Sequence, residues 1–146
     1  VKSDKIHPRR KAREGVFQAL YSLEISGEPQ GKVLDDIIER NKYTNEIKEF
    51  VCNLYLKTLE NREFIKEKIS SHLKNWEFNR VALLDRILLE MGTCEIFFID
   101  DVPPKVSIAE AIEIAKQFST EDSSGFVNGL LDAIYKEQLL DNNNGN

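Results

Sequence analysis

Between Arg9 and Arg13 the chain sets four cations in five positions, Arg9, Arg10, Lys11 and Arg13. Clustered guanidinium and ammonium groups are the chemistry of phosphate recognition. From Val1 to Arg13 the charge is +5, whereas the whole chain carries −5, so the remainder carries −10. An acidic body with a basic arm suits a local contact with nucleic acid better than indiscriminate binding of polyanions; a solvated, frayed terminus is the alternative. At about 100° per residue, Arg9, Arg13, Val16 and Leu20 fall in one narrow arc of a helix, so two arginines prolong an apolar stripe. They must project beyond the packed body or meet acids. Cations in the first turns also oppose the helix dipole, and Arg9 with Arg13 is a like-charge pair one turn apart. A polyanionic ligand reverses both penalties, which favours the nucleic-acid reading.

Aromatic rings supply the other half of an RNA site, since single-stranded bases stack on them. Tyr21, at the edge of the first helix's stripe, and Phe126, at the start of the last helix, are the candidates; for each, core packing is the competing reading. Catalysis has little support. The paired carboxylates Asp100-Asp101 and Glu121-Asp122 sit at helix boundaries, where acids commonly cap helices. There is no GxxxxGK[ST], GxGxxG or HExxH, and thus no expected cofactor. Cys52 and Cys94 are isolated and read as small core residues; with only His7 and His72 beside them, no metal site is expected.

These residues must be positioned by helices, because apolar residues recur at three and four rather than at two. The first helix is expected from near Pro8 to about Ser26, broken by Gly27, Pro29 and Gly31. A short one follows from Val33 to about Asn41. Thr44 is a plausible N-cap for a long helix carrying Ile47, Phe50, Val51, Leu54, Tyr55 and Leu59, with its stripe continuing through Ile65, Ile69 and Leu73. Asn75 to Arg80 reads as the joint in the middle of the chain. The apolar run from Val81 to about Phe98 must be largely enclosed by other helices, and Pro103-Pro104 ends it. Ser107 and Glu110 match a capping box for the next helix. The polar stretch Ser119 to Ser124 precedes a last helix carrying Phe126, Val127, Leu130, Leu131 and Ile134, and Asp141 to Asn146 reads as a flexible tail.

At 146 residues, 41% hydrophobic and 31% charged, the chain is long enough for one real core and too polar for a membrane protein. No apolar run approaches the ~20 residues of a spanning helix, and the N-terminal residues do not resemble a signal peptide, so a cytoplasmic protein is expected.

The chain resembles the NusB family of bacterial transcription antitermination factors over nearly its whole length. Arg9-Arg10-Lys11-Ala12-Arg13-Glu14 with Gln18-Ala19-Leu20-Tyr21 is similar to that family's arginine-rich first helix. The second half matches in order through Val102-Pro103-Pro104-Lys105-Val106, Ala109-Glu110-Ala111-Ile112, Ala115-Lys116, Phe118-Ser119-Thr120-Glu121-Asp122, Phe126-Val127-Asn128-Gly129 and Leu131-Asp132. The resemblance implies an all-α fold of two packed three-helix bundles, with room for one extra short helix, as a single RNA-binding domain with subdomains at about 9–76 and 79–138. It implies no enzymatic activity. It also implies binding of boxA RNA in nascent ribosomal transcripts together with the ribosomal protein NusE, within a complex of other Nus factors and RNA polymerase, and no membrane. Carried over by motif, Arg9, Arg10, Lys11, Arg13, Tyr21, Asp122 and Phe126 would contact RNA, and Asp85 and Arg86 the partner. One departure is visible. The family's central helix usually carries a second arginine four residues after the first, and Glu90 stands there; Gly92 and Thr93 also weaken that helix, glycine by about 1 kcal/mol relative to alanine.

Two rivals share much of this pattern. One is a stand-alone relative of the RNA-binding domain of ribosomal RNA cytosine methyltransferases, which would continue into a cofactor-binding domain where this chain is expected to end. The other is a protein-interaction scaffold whose basic arm is incidental; salt-dependent RNA binding separates it from the first.

Overall fold

The computed structural model describes residues 2–74 and 77–144, with side chains described for 9–74 and 77–143. Asn75 and Trp76 of the expected joint, and Gly145 and Asn146 of the expected tail, lie outside the described residues. The described residues are helical, with no strand among them, and none of their helices is long and apolar enough to cross a membrane. They form two compact units that divide between Glu60 and Asn61.

The first unit holds α1 (Lys2–Ser26), α2 (Gln30–Asn41) and α3 (Asn45–Glu60). α1 starts earlier than expected and runs through Pro8, whose missing N–H removes one rung of its ladder. Gly27 ends it at φ 68°, and its N–H bonds the Leu23 carbonyl at 3.1 Å. Thr44 caps α3 as its position suggested, its hydroxyl accepting from the Ile47 N–H at 3.3 Å. α1 packs on both α2 and α3. Val16, Phe17, Leu20, Ile37, Val51 and Leu54 are buried, and the wholly buried Tyr55 donates its O–H to the Gln30 carbonyl at 2.9 Å, tying α3 to the start of α2.

The second unit holds α4 (Arg62–Ser71), a single 3-10 turn (Phe78–Arg80), α5 (Leu83–Phe98), α6 (Pro104–Phe118) and α7 (Glu121–Asn144). The long helix expected from Thr44 is therefore two helices. Asn61 interrupts it at φ −109°, ψ 23°, a conformation that asparagine tolerates well. The apolar stripe carries on across the break, but Ile65 and Ile69 are buried in a helix that packs on α5 and α7. This is why the units divide before residues 75–80, the joint that the sequence suggests.

α5 is enclosed as its composition requires: every residue from Ile87 to Ile96 is buried, Glu90 and Glu95 included. The capping-box reading of Ser107 does not hold. Pro103 and Pro104 fix the geometry of the first turn, so α6 starts at Pro104. Ser107, already inside the helix, instead donates its hydroxyl to Glu95 Oε1 at 2.8 Å across a buried contact with α5. The polar stretch before α7 is also shorter than expected. Thr120 caps α7, its hydroxyl accepting from the Ser123 N–H at 3.1 Å, and the helix then continues through Asp141 to Asn144 of the expected tail.

Three contacts fix how α5 and α7 lie. Asp85 meets Ser123, Gly92 meets Leu131, and the Ile96 carbonyl accepts from Gln138. The residue numbers rise together, so the helices run in the same direction, with α6 returning between them. At the middle contact a Cβ on Gly92 would stand 2.7 and 2.9 Å from the Leu131 methyl carbons. Glycine thus serves close packing here, at the expense of helix propensity.

Two outcomes follow from this packing. Gly92→Ala is expected to lower the urea midpoint, because overpacking against a fully buried leucine costs about 1–3 kcal/mol and outweighs the helical gain. Gly129→Ala, in the same unit but facing open space, is expected to raise the midpoint through a stability gain of up to about 1 kcal/mol.

Candidate nucleic-acid interface

In the first unit the basic run divides by side-chain environment. Arg9 and Arg13 both lie over the ring of Phe50 in α3, their guanidinium carbons 4.7 and 5.2 Å from its centroid. Phe50 is 7% exposed and Arg13 only 3%. One aromatic ring thus serves two cations a helical turn apart, and the attraction of guanidinium to a ring, about 0.5–2 kcal/mol each, offsets their mutual repulsion. The expectation that these cations lie in the first turns of their helix does not hold, because α1 already begins at Lys2; Arg9 and Arg13 instead pin the first half of α1 to α3. Arg10 is half-buried and Lys11 exposed, so Lys11 is the cation of the run most open to a phosphate. Tyr21 is 42% exposed; it is not a core residue, and its ring is open to stacking.

In the second unit the parallel course of α5 and α7 brings their N-terminal ends to the same side. Between them lies a cleft of about 440 Å³ lined by Arg80, Val81, Ala82, Asp85, Asp122, Ser123 and Phe126. Asp85, Asp122 and Phe126, singled out from separate motifs, therefore converge. Asp122 is exposed and Phe126 half-buried, so the Phe126 ring is a wall of the cleft and not a filled core position. Both acids occupy the first turns of their helices, where the partial positive charge of two helix N-termini favours a carboxylate. Asp85 is 8% exposed. Its Oδ2 accepts from the Ser123 hydroxyl at 3.2 Å, and that hydroxyl accepts in turn from Ser119 at 2.9 Å.

Arg86, paired with Asp85 by sequence, turns elsewhere: it is half-buried and its guanidinium lies 5.8 Å from the Phe78 ring. Glu90, where the family's second arginine would stand, is buried and presents no surface contact. Sequence reading missed Phe50, which looked like any other stripe residue, and Arg80 and Ser123, which acquire meaning only when the two helix ends meet. Of the two cysteines read as small core residues, Cys94 is one and Cys52 is only half-buried. Partial burial pushes the Cys52 thiol up, against the opposing influence of Lys48. Among the described residues no group of three or more His, Cys, Asp or Glu could hold a metal.

The family model of the NusB family matches residues 10–136. The transcription antitermination protein NusB of Chloroherpeton thalassium is 44% identical over 130 residues, covering 88% of this chain and 62% of that protein. The NusB protein of Nitratiruptor sp. is 39% identical, covering 88% of this chain and 92% of its own length. Among solved structures, T. maritima NusB superposes with a TM-score of 0.83 at 40% identity, over 88% of this chain and 91% of that one. A crystal structure of the antitermination factors NusB and NusE in complex with dsRNA superposes with a TM-score of 0.82 at 27% identity, over 90% and 98%. With the family model matched from residue 10 to residue 136 and such relatives aligned over most of its length, the chain belongs to the NusB family.

Proposed function

We propose that this protein is a transcription antitermination factor that binds boxA RNA of nascent ribosomal transcripts together with the ribosomal protein NusE, and that it does so in the cytoplasm alongside other Nus factors and RNA polymerase. Its work is binding, not catalysis. The observation that carries this reading is its likeness, over nine-tenths of the chain, to a NusB whose structure contains NusE and double-stranded RNA.

Each site residue then has a physical role. Lys11 and Arg10 meet phosphates, while Arg9 and Arg13, held on Phe50, fix the helix that presents them and add their charge to the local field. Tyr21 and Phe126 offer ring faces to bases. Asp122 stands beside Phe126 at the rim of the cleft, and Arg86 is the candidate for the partner's surface, with Asp85 next to it in sequence.

Lys11→Ala is expected to weaken boxA RNA binding, measured in the presence of NusE, and to flatten its salt slope by about 0.7 per lost phosphate contact, with the unfolding midpoint unchanged. Arg13→Ala should act differently, lowering the midpoint because a buried, ring-stacked side chain is removed. Phe126→Ala should cost about 1–3 kcal/mol of RNA affinity and less stability than the 3–5 kcal/mol typical of a core phenylalanine. An unchanged affinity and salt slope for both Lys11→Ala and Phe126→Ala would remove RNA binding from these surfaces.

A further inference from the structure

Asp85 carries a feature that helix capping does not explain. It is more than nine-tenths buried, yet only Oδ2 is engaged, by Ser123; Oδ1 is enclosed and has no hydrogen-bond partner among the described residues. A buried carboxylate oxygen without a donor is costly, more so than a neutral acceptor. The bond that holds the other oxygen is long, at 3.2 Å, and the last torsion of an aspartate is broad. A small rotation of the carboxylate therefore turns Oδ1 toward the cleft that Asp85 lines.

The lining narrows what could supply the donor. Two carboxylates, Asp85 and Asp122, repel a phosphate from the interior. A metal ion finds too few ligands among apolar walls formed by Val81, Ala82 and Phe126. A flat group with apolar faces and an N–H edge fits, because the half-buried Phe126 ring supplies a stacking face and Asp85 an acceptor. The exposed Arg80 at the rim is placed for a backbone phosphate. The volume of about 440 Å³ lies in the range of small-ligand pockets.

Resting on the RNA-binding reading above, we propose that the cleft between the N-terminal ends of α5 and α7 is a pocket for one unpaired nucleobase bearing an exocyclic amino group, which stacks on Phe126 and donates to Asp85. Adenine, cytosine and guanine each bring such a donor. Uracil brings a single N–H flanked by two carbonyl oxygens, which face the carboxylate unfavourably. The hydroxyl relay from Ser119 through Ser123 to Oδ2 holds the carboxylate in its acceptor role. Asp85 thereby moves from the partner surface to the base-reading set.

The test uses the full chain, alone and with NusE, and short oligouridines carrying one central adenosine, cytidine or guanosine, compared with the all-uridine strand. The best amino-bearing strand should bind about tenfold tighter or better, the scale of a hydrogen bond to a charged group. Replacing adenosine by purine riboside, or guanosine by inosine, removes the amino group without altering the protein and should abolish the preference. Asp85→Asn should abolish it too, with the salt slope unchanged because no phosphate contact is lost. The pocket is overturned if the wild-type chain binds all strands alike with a normal salt slope. It is also overturned if Asp85→Asn weakens every strand by one factor, or weakens NusE binding while the base preference stays. If the wild-type protein binds none of the strands and no boxA RNA, the RNA reading itself fails and the pocket with it.

Discussion

The contact of Gly92 with Leu131 is the constraint from which the second unit is built. A side chain at residue 92 would press on the Leu131 methyl carbons and strain the close approach of α5 and α7. Because they approach so closely and run in the same direction, their N-terminal ends finish side by side. The cleft, its two acids and the Phe126 ring are consequences of that alignment. The helix dipoles add to it: two positive ends on one side favour the carboxylates of Asp85, Glu121 and Asp122 in their first turns. A glycine that looks like a weakness in a helix, read by propensity alone, is the residue that permits the architecture.

In the first unit a different economy operates. A run of like charges one turn apart in a helix is unfavourable by local rules, yet Arg9 and Arg13 share the ring of Phe50, so part of the cluster anchors the helix while Lys11 remains exposed. Stability and recognition are thus divided between neighbouring residues of the same run. A charge-reversing change at Arg13 and one at Lys11 would look alike in sequence and act through different physics.

Much of the fold was legible. Apolar recurrence at three and four identified the helical class, the uniform hydrophobicity of Val81 to Phe98 placed that segment in the interior, and Thr44 was recognisable as a cap. What was not legible depended on tertiary context. The stripe through Leu59 and Ile65 reads as continuous because both sides of the break at Asn61 are apolar, with Leu54 and Ile65 both buried. Ser107 satisfies the spacing of a capping box, but two prolines had already started the helix, leaving its hydroxyl to Glu95. Arg13 was expected to project beyond the packed body or to meet acids, and no periodicity announces that a phenylalanine on another helix lies beneath it. For the site, Asp122 and Phe126 were reached through motif resemblance, whereas their meeting with Asp85, Arg80 and Ser123 required two helix ends to be brought together.

The central claim, that this member of the NusB family reads boxA RNA together with NusE, is tested most directly by titrating the protein–NusE mixture with a boxA RNA and with a scrambled RNA of equal length across a range of salt concentrations. The account expects tighter binding of boxA at every salt concentration, and an affinity for both RNAs that falls steeply and linearly on logarithmic axes as salt rises. Equal affinity for the two sequences, or binding indifferent to salt, would contradict it.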